Sequence, residues 1–325
     1  MKSILFTVLF LFVPKLCISQ LSKNDDAVYL DSLFNIGTAE NYRYIQIIKD
    51  YKTPNKEPYQ IRVYYKSGKI QMKGATSARI GISKIGTFLY FYENGSKKSI
   101  INYEKDKPMG AYFEFHENGE KKIEGEWIDN KNNVIPNLNV KNCWNEKGIQ
   151  TVIEGNGFFE EVYYKGSLPH RDDVSGFGEG KIVNNLKDSI WTGFNKKTKI
   201  SYIENYNKGE LISGVSIDSN KVEVKYTVSE VRPVPKNGMD DFNRHIARTF
   251  KCPNVEGLKG KIYVKFVVET DGSITEVKVL RDIGYGTGAE AIRAVSSYKG
   301  WIPGEQRGRK VRCTFSLPIS VQSNR

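Results

Sequence analysis

The chain has 325 residues, 39% hydrophobic and 26% charged, the composition of a soluble globular protein of about two domains. Four cysteines and no C-x-x-C pair exclude a disulfide scaffold and signal no zinc or redox site. The net charge of +12 suits acidic lipids, sugars or acidic peptides as partners, a plain Lys-rich soluble surface being the simpler account.

Residues 1–19, "MKSILFTVLFLFVPKLCIS", carry Lys2, an apolar run from Ile4 to Val13, and small residues at Cys17 and Ser19 before Gln20. This is the pattern of a cleaved secretory signal. Ten helical residues reach about 15 Å, half of a ~30 Å hydrocarbon core, which argues against a spanning helix. Lipidation at Cys17 and a retained anchor are the alternatives, the former weakened by Lys15 and Leu16 just before it. Export makes nucleic acid an unsuitable partner, and loss of Lys2 and Lys15 lowers the net charge from +12 to +10.

A short helical segment at Tyr29–Phe34 and strands in "NYRYIQIIKDY" and "YQIRVYYKSGKIQMKG" come next. Then Gly86–Tyr103 repeats as Gly110–Trp127 at an offset of 24, with seven of eighteen positions identical. Asn94-Gly95 and Asn118-Gly119 predict hairpin tips with type I′ turns, and aromatics on both faces require neighbouring hairpins to cover them. Weaker copies lie at Tyr64–Gly74 and across Asp188–Gly214. The Y-x-x-N-G-x-K units with W-x-G-x and Y-x-x-G resemble the MORN-type repeats of YwqK-family antitoxin components over about residues 60–218. That resemblance implies stacked β-hairpins and protein contact; an antitoxin role does not suit an exported chain. His116 stands at the repeat position of Tyr92 and reads as a hairpin aromatic. His170, beside Asp172 and Asp173, lacks a second histidine to make a metal site.

"SEVRPVPKNG", residues 229–238, reads as a short stiff linker. Beyond it Met239, Phe242, Ile246 and Phe250 form one apolar helix stripe. Lys259–Arg281 is a hairpin turning at Asp271-Gly272, and Lys310–Ile319 is a final strand. Between them "DIGYGTGAEAIRAV" fits G-x-G-x-x-A, but a dinucleotide site needs a parallel βαβ unit and an acidic residue ending its second strand. Both are missing. Gly284, Gly286 and Gly288 therefore predict a flexible turn, Thr287 a helix N-cap, and Ala291, Ile292 and Val295 the buried side of the helix. Cys313 alternates with Val311, Phe315 and Leu317 as a small core residue, and a bond to Cys252 is the one disulfide left open.

The order helix, strand, strand, helix, strand carries further motifs. V-x-F-V-V-E-x-D-G-S-I-x-x-V-x-V-L-R spans Val264–Arg281, G-x-G-x-E-A-I-R-A-V spans Gly286–Val295, and W-x-P-G-x-Q-x-G-x-x-V-x-x-x-F-x-L-P-I spans Trp301–Ile319. They resemble the C-terminal domain of TonB energy transducers over about residues 238–321. The resemblance implies a three-stranded antiparallel sheet with two helices that grips an extended peptide of an outer-membrane transporter along a free edge. The last strand is the candidate edge, at Lys310, Val311, Arg312, Cys313, Thr314, Phe315, Ser316 and Leu317. An edge offers unpaired N–H and C=O groups to an added strand. Lys310 and Arg312 beside it favour acidic flanks or guard against aggregation. Transducers of this family carry an N-terminal membrane helix and a long Pro-rich span; neither pattern is present here, so the resemblance speaks for binding more than for force transmission.

The expected fold is therefore mainly β with an α+β C-terminal domain: signal 1–19, hairpin repeats 20–228, linker 229–238 and a TonB-like domain 239–325. The expected function is an exported, periplasmic or outer-membrane-associated binding module that takes up a transporter or other envelope protein by strand addition, without nucleotide, nucleic acid, metal or cofactor. The alternative is a structural or adhesive envelope protein that contacts protein or glycan through the repeats. No G-x-S-x-G, H-E-x-x-H or P-loop is present, and adjacent Glu160 and Glu161 face opposite ways on a strand, so no enzyme is expected.

Overall fold

The computed structural model describes residues 22–32, 34–53, 56–77, 83–129, 137–164 and 174–323. The expected signal and His170 lie outside them. The chain divides into two compact units, Met1–Thr198 with Asn207–Gly209, and Lys199–Tyr206 with Glu210–Arg325. No helix among the described residues is long and apolar enough to cross a membrane.

The first unit is an antiparallel meander in which strands pair in chain order. It begins with β1 (Asp26–Leu30), β2 (Tyr44–Ile48), β3 (Tyr59–Tyr65) and β4 (Ile70–Thr76). The repeat follows as β5 (Lys84–Phe91), β6 (Lys97–Glu104), β7 (Lys107–Phe115) and β8 (Lys121–Ile128). The unit ends with β9 (Asn137–Trp144), β10 (Gln150–Ile153), β11 (Asn156–Tyr164), β12 (Val174–Val183) and β13 (Leu186–Asn195). Of the residues Tyr29–Phe34, expected as helix, Tyr29 and Leu30 belong to β1, and Leu33 lies outside the described residues.

The hairpin tips differ from the sequence expectation in turn type. Gly95 donates to Tyr92 O and Tyr92 to Ser96 O, leaving a three-residue loop in which Gly95 (φ 96°) takes the left-handed conformation. Asn94 does not, so the tip is a turn closed by a glycine bulge rather than type I′. Asn94 instead spends its side chain on neighbours: Oδ1 accepts from Ser96 N–H and Nδ2 donates to Glu117 O in the next hairpin. One repeat position then stitches hairpin to hairpin. Tyr65 donates to Phe91 O, Tyr92 to Phe115 O, and His116 Nε2 to Trp144 O, each at 2.8 Å. His116 is the hairpin aromatic its repeat position implies. Large rings also lie flat on glycines of the neighbouring strand: a Cβ on Gly180 would stand 2.5 Å from the buried Trp191 ring, and one on Gly74 2.6 Å from Phe88.

The second unit opens with β14 (Ile200–Asn207), β15 (Glu210–Ile217) and β16 (Glu223–Tyr226). The expected linker 229–238 carries two short strands, β17 (Glu230–Val231) and β18 (Val234–Pro235). These pair with β22 (Gly304–Gln306) and β21 (Trp301–Ile302) respectively. Helix α1 (Met239–Thr249), β19 (Lys259–Val268), β20 (Ile274–Arg281), α2 (Thr287–Ser297), β23 (Arg309–Val311) and β24 (Cys313–Gln322) complete the unit. The sheet order is β20-β19-β24, antiparallel throughout.

Its core joins Phe242 and Ile246 of α1 to Ile262, Val264 and Phe266 of β19, with Ala291, Ala294 and Val295 of α2. Met239 is exposed because it opens the helix, and Ile292 is exposed because it falls one residue off the 291–294–295 stripe. The glycine turn holds no N-capping threonine: Gly286 (φ 76°) is the N-cap and Thr287 the first helical residue. Thr287 Oγ1 donates to Asp282 Oδ1 at 2.7 Å, and the same oxygen accepts N–H bonds from Ile283 and Gly284. These bonds, Thr287's first, hold the Asp282 carboxyl below its usual range. The fingerprint is thus a turn organised by one aspartate.

Candidate functional site: an open sheet edge

Strand β24 pairs with β19 over ten residues, Lys259↔Gln322 to Val268↔Cys313, without a register shift. Ser323 N–H continues the ladder by donating to Leu258 O at 2.8 Å. In an antiparallel pair, successive residues turn their backbone groups to opposite sides. Odd-numbered residues of β24 therefore point N–H and C=O at β19, and Thr314, Ser316, Pro318, Ser320 and Gln322 point theirs outward. Pro318, which has no N–H, falls on the outward side, the position in which an edge strand tolerates proline. In the sheet order β24 is terminal with β19 as its neighbour, and among the described residues no turn or loop backbone bond takes up these outward groups. All five of these residues are solvent-exposed, while Phe315, Leu317, Ile319 and Val321 turn toward the core.

The edge runs between two hollows. Along its first half a cleft of about 620 Å³ is walled by Glu230 and Arg232 on one side and Thr314 and Ser316 on the other. Along its second half a groove of about 300 Å³ lies between Ile246 and Ala247 of α1, with Phe250 just after it, and the strand's Ile319–Gln322. Phe315 pins the strand between them, its ring 5.0 Å from Trp301 and 5.5 Å from Phe266.

The eight residues expected as the edge are divided by the structure. Lys310 and Val311 belong to β23 and pair with Glu305 and Gly304 of β22, so they are not open. Arg312 lies between the two strands. Cys313, Thr314, Phe315, Ser316 and Leu317 begin β24, whose outward row goes on through Pro318 and Ser320 to Gln322. The change of sheet at Arg312 is not legible in the sequence, because the apolar alternation runs straight through it.

Arg312 does not serve as a free cation for acidic flanks. Its guanidinium bonds Glu269 at 2.6 and 2.8 Å and Glu276 at 2.7 Å. Arg312, and after it Thr275, hold the Glu269 carboxyl below its usual range. Cys252 and Cys313 are both free, so the disulfide left open by the sequence is not formed. Cys313 is half-buried, and burial is the first cause pushing its thiol up, which makes it a poor nucleophile. Among the described residues no group of three His, Cys, Asp or Glu is placed to hold a metal.

One contact beside the candidate site is not legible in the sequence. The β22–β23 hairpin, which forms a wall of the first cleft, is gripped by the strands that open this unit. Arg307 Nε sits 2.9 Å from Oε1 of Glu204, which is fully buried, and its guanidinium lies 3.6 Å above the Tyr202 ring. Tyr226 and Tyr206 donate to the same carboxylate at 2.7 and 3.0 Å. Burial first, then Glu204, raise both phenols. Arg309 bonds Ser216 Oγ at 2.9 Å and Asp218 at 3.0 Å. Glu204 and Arg307 are 103 positions apart, and no local pattern announces such a pair.

Comparison with known proteins bears on the same unit. No curated protein and no solved structure matches the chain. Residues 255–320 match the family described as Gram-negative bacterial TonB protein C-terminal, which supports a TonB-type C-terminal domain there and leaves the hairpin repeats outside the match.

Proposed function

We propose that this chain is an envelope binding protein of TonB type, whose C-terminal unit takes up an extended segment of an outer-membrane transporter or another envelope partner as a fourth strand along β24. The observation that carries the reading is the outward backbone row at Thr314, Ser316, Pro318, Ser320 and Gln322, open in a domain of the matching family. An added strand gains roughly 0.5–1.5 kcal/mol net per hydrogen bond, so several bonds give a modest, reversible affinity. Side chains of alternate residues then enter the two hollows. The unit works as a binding surface rather than a catalyst, in a periplasmic setting that the apolar run at residues 4–13 serves as an export signal. The test is calorimetric titration of the full chain with synthetic ten-residue segments from the periplasmic ends of outer-membrane transporters. Saturable binding is expected; its absence across such segments overturns the reading.

A second reading, contact through the repeats, is favoured by one face of β11 and β12. Phe158, Val162 and Phe177 share it through the pairs Phe158↔Lys181 and Val162↔Phe177, with Phe158 and Phe177 exposed. Deletion of the gene with transporter-dependent uptake left intact would favour that role.

A further inference from the structure

The sheet of the second unit buries one face under its helices and leaves the other bare. On β19, Ile262, Val264 and Phe266 point into the core, and the alternate residues Lys259, Lys261, Tyr263 and Lys265 are exposed. The register carries that face onto β20, where Lys265 stands opposite Lys278 and Tyr263 opposite Arg281. On the β24 side the same face is lined by small residues, Ser316, Pro318 and Ser320. Five cations therefore share one outer sheet face: Lys259, Lys261, Lys265, Lys278 and Arg281.

Nothing on the sheet neutralises them. None takes part in an ion pair among the described residues. The carboxylates of the sheet, Glu269 and Glu276, are gathered on Arg312. Two lysines set directly opposite one another, Lys265 and Lys278, cost the sheet stability, so the arrangement is not one that folding selects. Two apolar bodies stand among the charges, Tyr263 at 38% and Leu280 at 62% exposure.

The shape of the patch narrows its occupant. From Lys259 to Lys265 the strand covers about 20 Å, and three strands span about 10 Å. The two hollows that flank the β24 edge include none of the five cations in their linings. Cations dispersed over one open sheet face, outside either hollow and with a tyrosine and a leucine between them, match a plane of anionic head groups. There the charges meet lipid phosphates and the two apolar side chains enter the interface. An acidic peptide would be held by arginine forks or along an edge; Arg312 is already engaged with Glu269, and four of the five cations of the patch are lysines, which meet anions as point charges.

We propose that this outer sheet face, centred on Lys261, Lys265 and Lys278, docks onto an anionic lipid bilayer. Peptide uptake at the β24 edge and bilayer docking at the face use different groups, so either stands without the other.

The test is sedimentation of the full chain with vesicles of phosphatidylcholine containing 30 mol% phosphatidylglycerol, and with pure phosphatidylcholine, which measures any contribution of the apolar run at residues 4–13. Binding to the anionic vesicles that weakens with added salt is expected. Each cation near such a surface is worth roughly fivefold in affinity, so Lys261→Gln/Lys265→Gln/Lys278→Gln is expected to bind about 100-fold more weakly. Lys97→Gln/Lys105→Gln/Lys107→Gln, exposed lysines of the repeat, removes the same charge and is expected to bind like the parent. If the first triple variant does not fold, Lys261→Gln alone, with its roughly fivefold loss, decides the matter. The proposal is overturned if the parent ignores the anionic vesicles, if both triples weaken binding equally, or if poly-glutamate binds the parent and the vesicles do not.

Discussion

Thr314→Pro separates the two sides of β24. Proline deletes the Thr314 N–H, which points outward, and leaves the inward ladder to β19 whole. In the free protein that N–H is open to solvent, so stability is expected to change by less than ~1 kcal/mol in urea unfolding. Pro318 already sits in this orientation two outward positions further along. In the complex the substitution removes one net hydrogen bond of roughly 0.5–1.5 kcal/mol and sets a ring against the incoming strand, so peptide affinity is expected to fall at least tenfold by calorimetry. Phe315→Pro is the contrast. It removes an inward donor and a ring packed on Trp301 and Phe266, and is expected to cost several kcal/mol, on the order of 3 or more. Equal destabilisation by the two substitutions would show that the outward parity is wrong. A stable Thr314→Pro protein that binds peptide like the parent would show that partners dock elsewhere.

Other expectations concern what holds the units together internally. Arg307→Met leaves the fully buried Glu204 carboxylate without its cation and is expected to cost about 3–5 kcal/mol in urea unfolding; a change below ~1 kcal/mol would mean the carboxylate is compensated by its tyrosines alone. Gly180→Ala drives a methyl into the buried Trp191 ring and is expected to cost roughly 1–3 kcal/mol by thermal melting, whereas an unchanged melt would mean the ring slides aside. Glu290 bonds Arg293 and Lys251 N–H, and these partners, Arg293 first, lower its carboxyl from 4.5 to about 2. A depressed acid stabilises the fold above its unfolded value and loses that contribution as pH falls through its folded one. Acid unfolding followed by circular dichroism should therefore show Glu290→Gln less stable than the parent at pH 6 and the gap closing between about pH 4.5 and pH 2. A gap independent of pH would assign the loss to packing.

What could be read from the sequence was local. The 24-residue offset gives the hairpin ladder, and equating His116 with Tyr92 predicts its role, because both reach a carbonyl of the next hairpin. The helix stripe Phe242–Ile246 and the hairpin at Asp271-Gly272 follow from period and turn chemistry in the same way. The turn type at Asn94 is not fixed by the sequence because Asn-Gly fits two hairpin turns. The choice between them is made by Asn94 Nδ2 reaching the neighbouring hairpin, a tertiary bond. The segment 229–238 misleads for a related reason. Its prolines exclude helix, yet an extended chain that cannot be a helix is free to pair wherever an edge lies near, and here Glu230 and Val231 find β22.

The same limit governs the candidate site, and it has a mechanical side. Lys310–Ile319 reads as one strand because Val311, Cys313, Phe315 and Leu317 alternate without a break. The chain nevertheless leaves one sheet at Val311 and enters another at Cys313. What divides it is the grip of Glu204 on Arg307 and of Asp218 on Arg309, which commits β23 to β22. With β23 held there, the first residues that can offer outward groups to a partner are those of β24. A partner that pulls on β24 then loads a strand bonded to β19 over ten residues, and not the β22–β23 hairpin. If Arg307→Met left the unit folded but moved peptide contacts back onto Lys310 and Val311, that division of labour would be a consequence of the buried pair. If the contacts stayed on Thr314–Gln322, it would be intrinsic to the sheet.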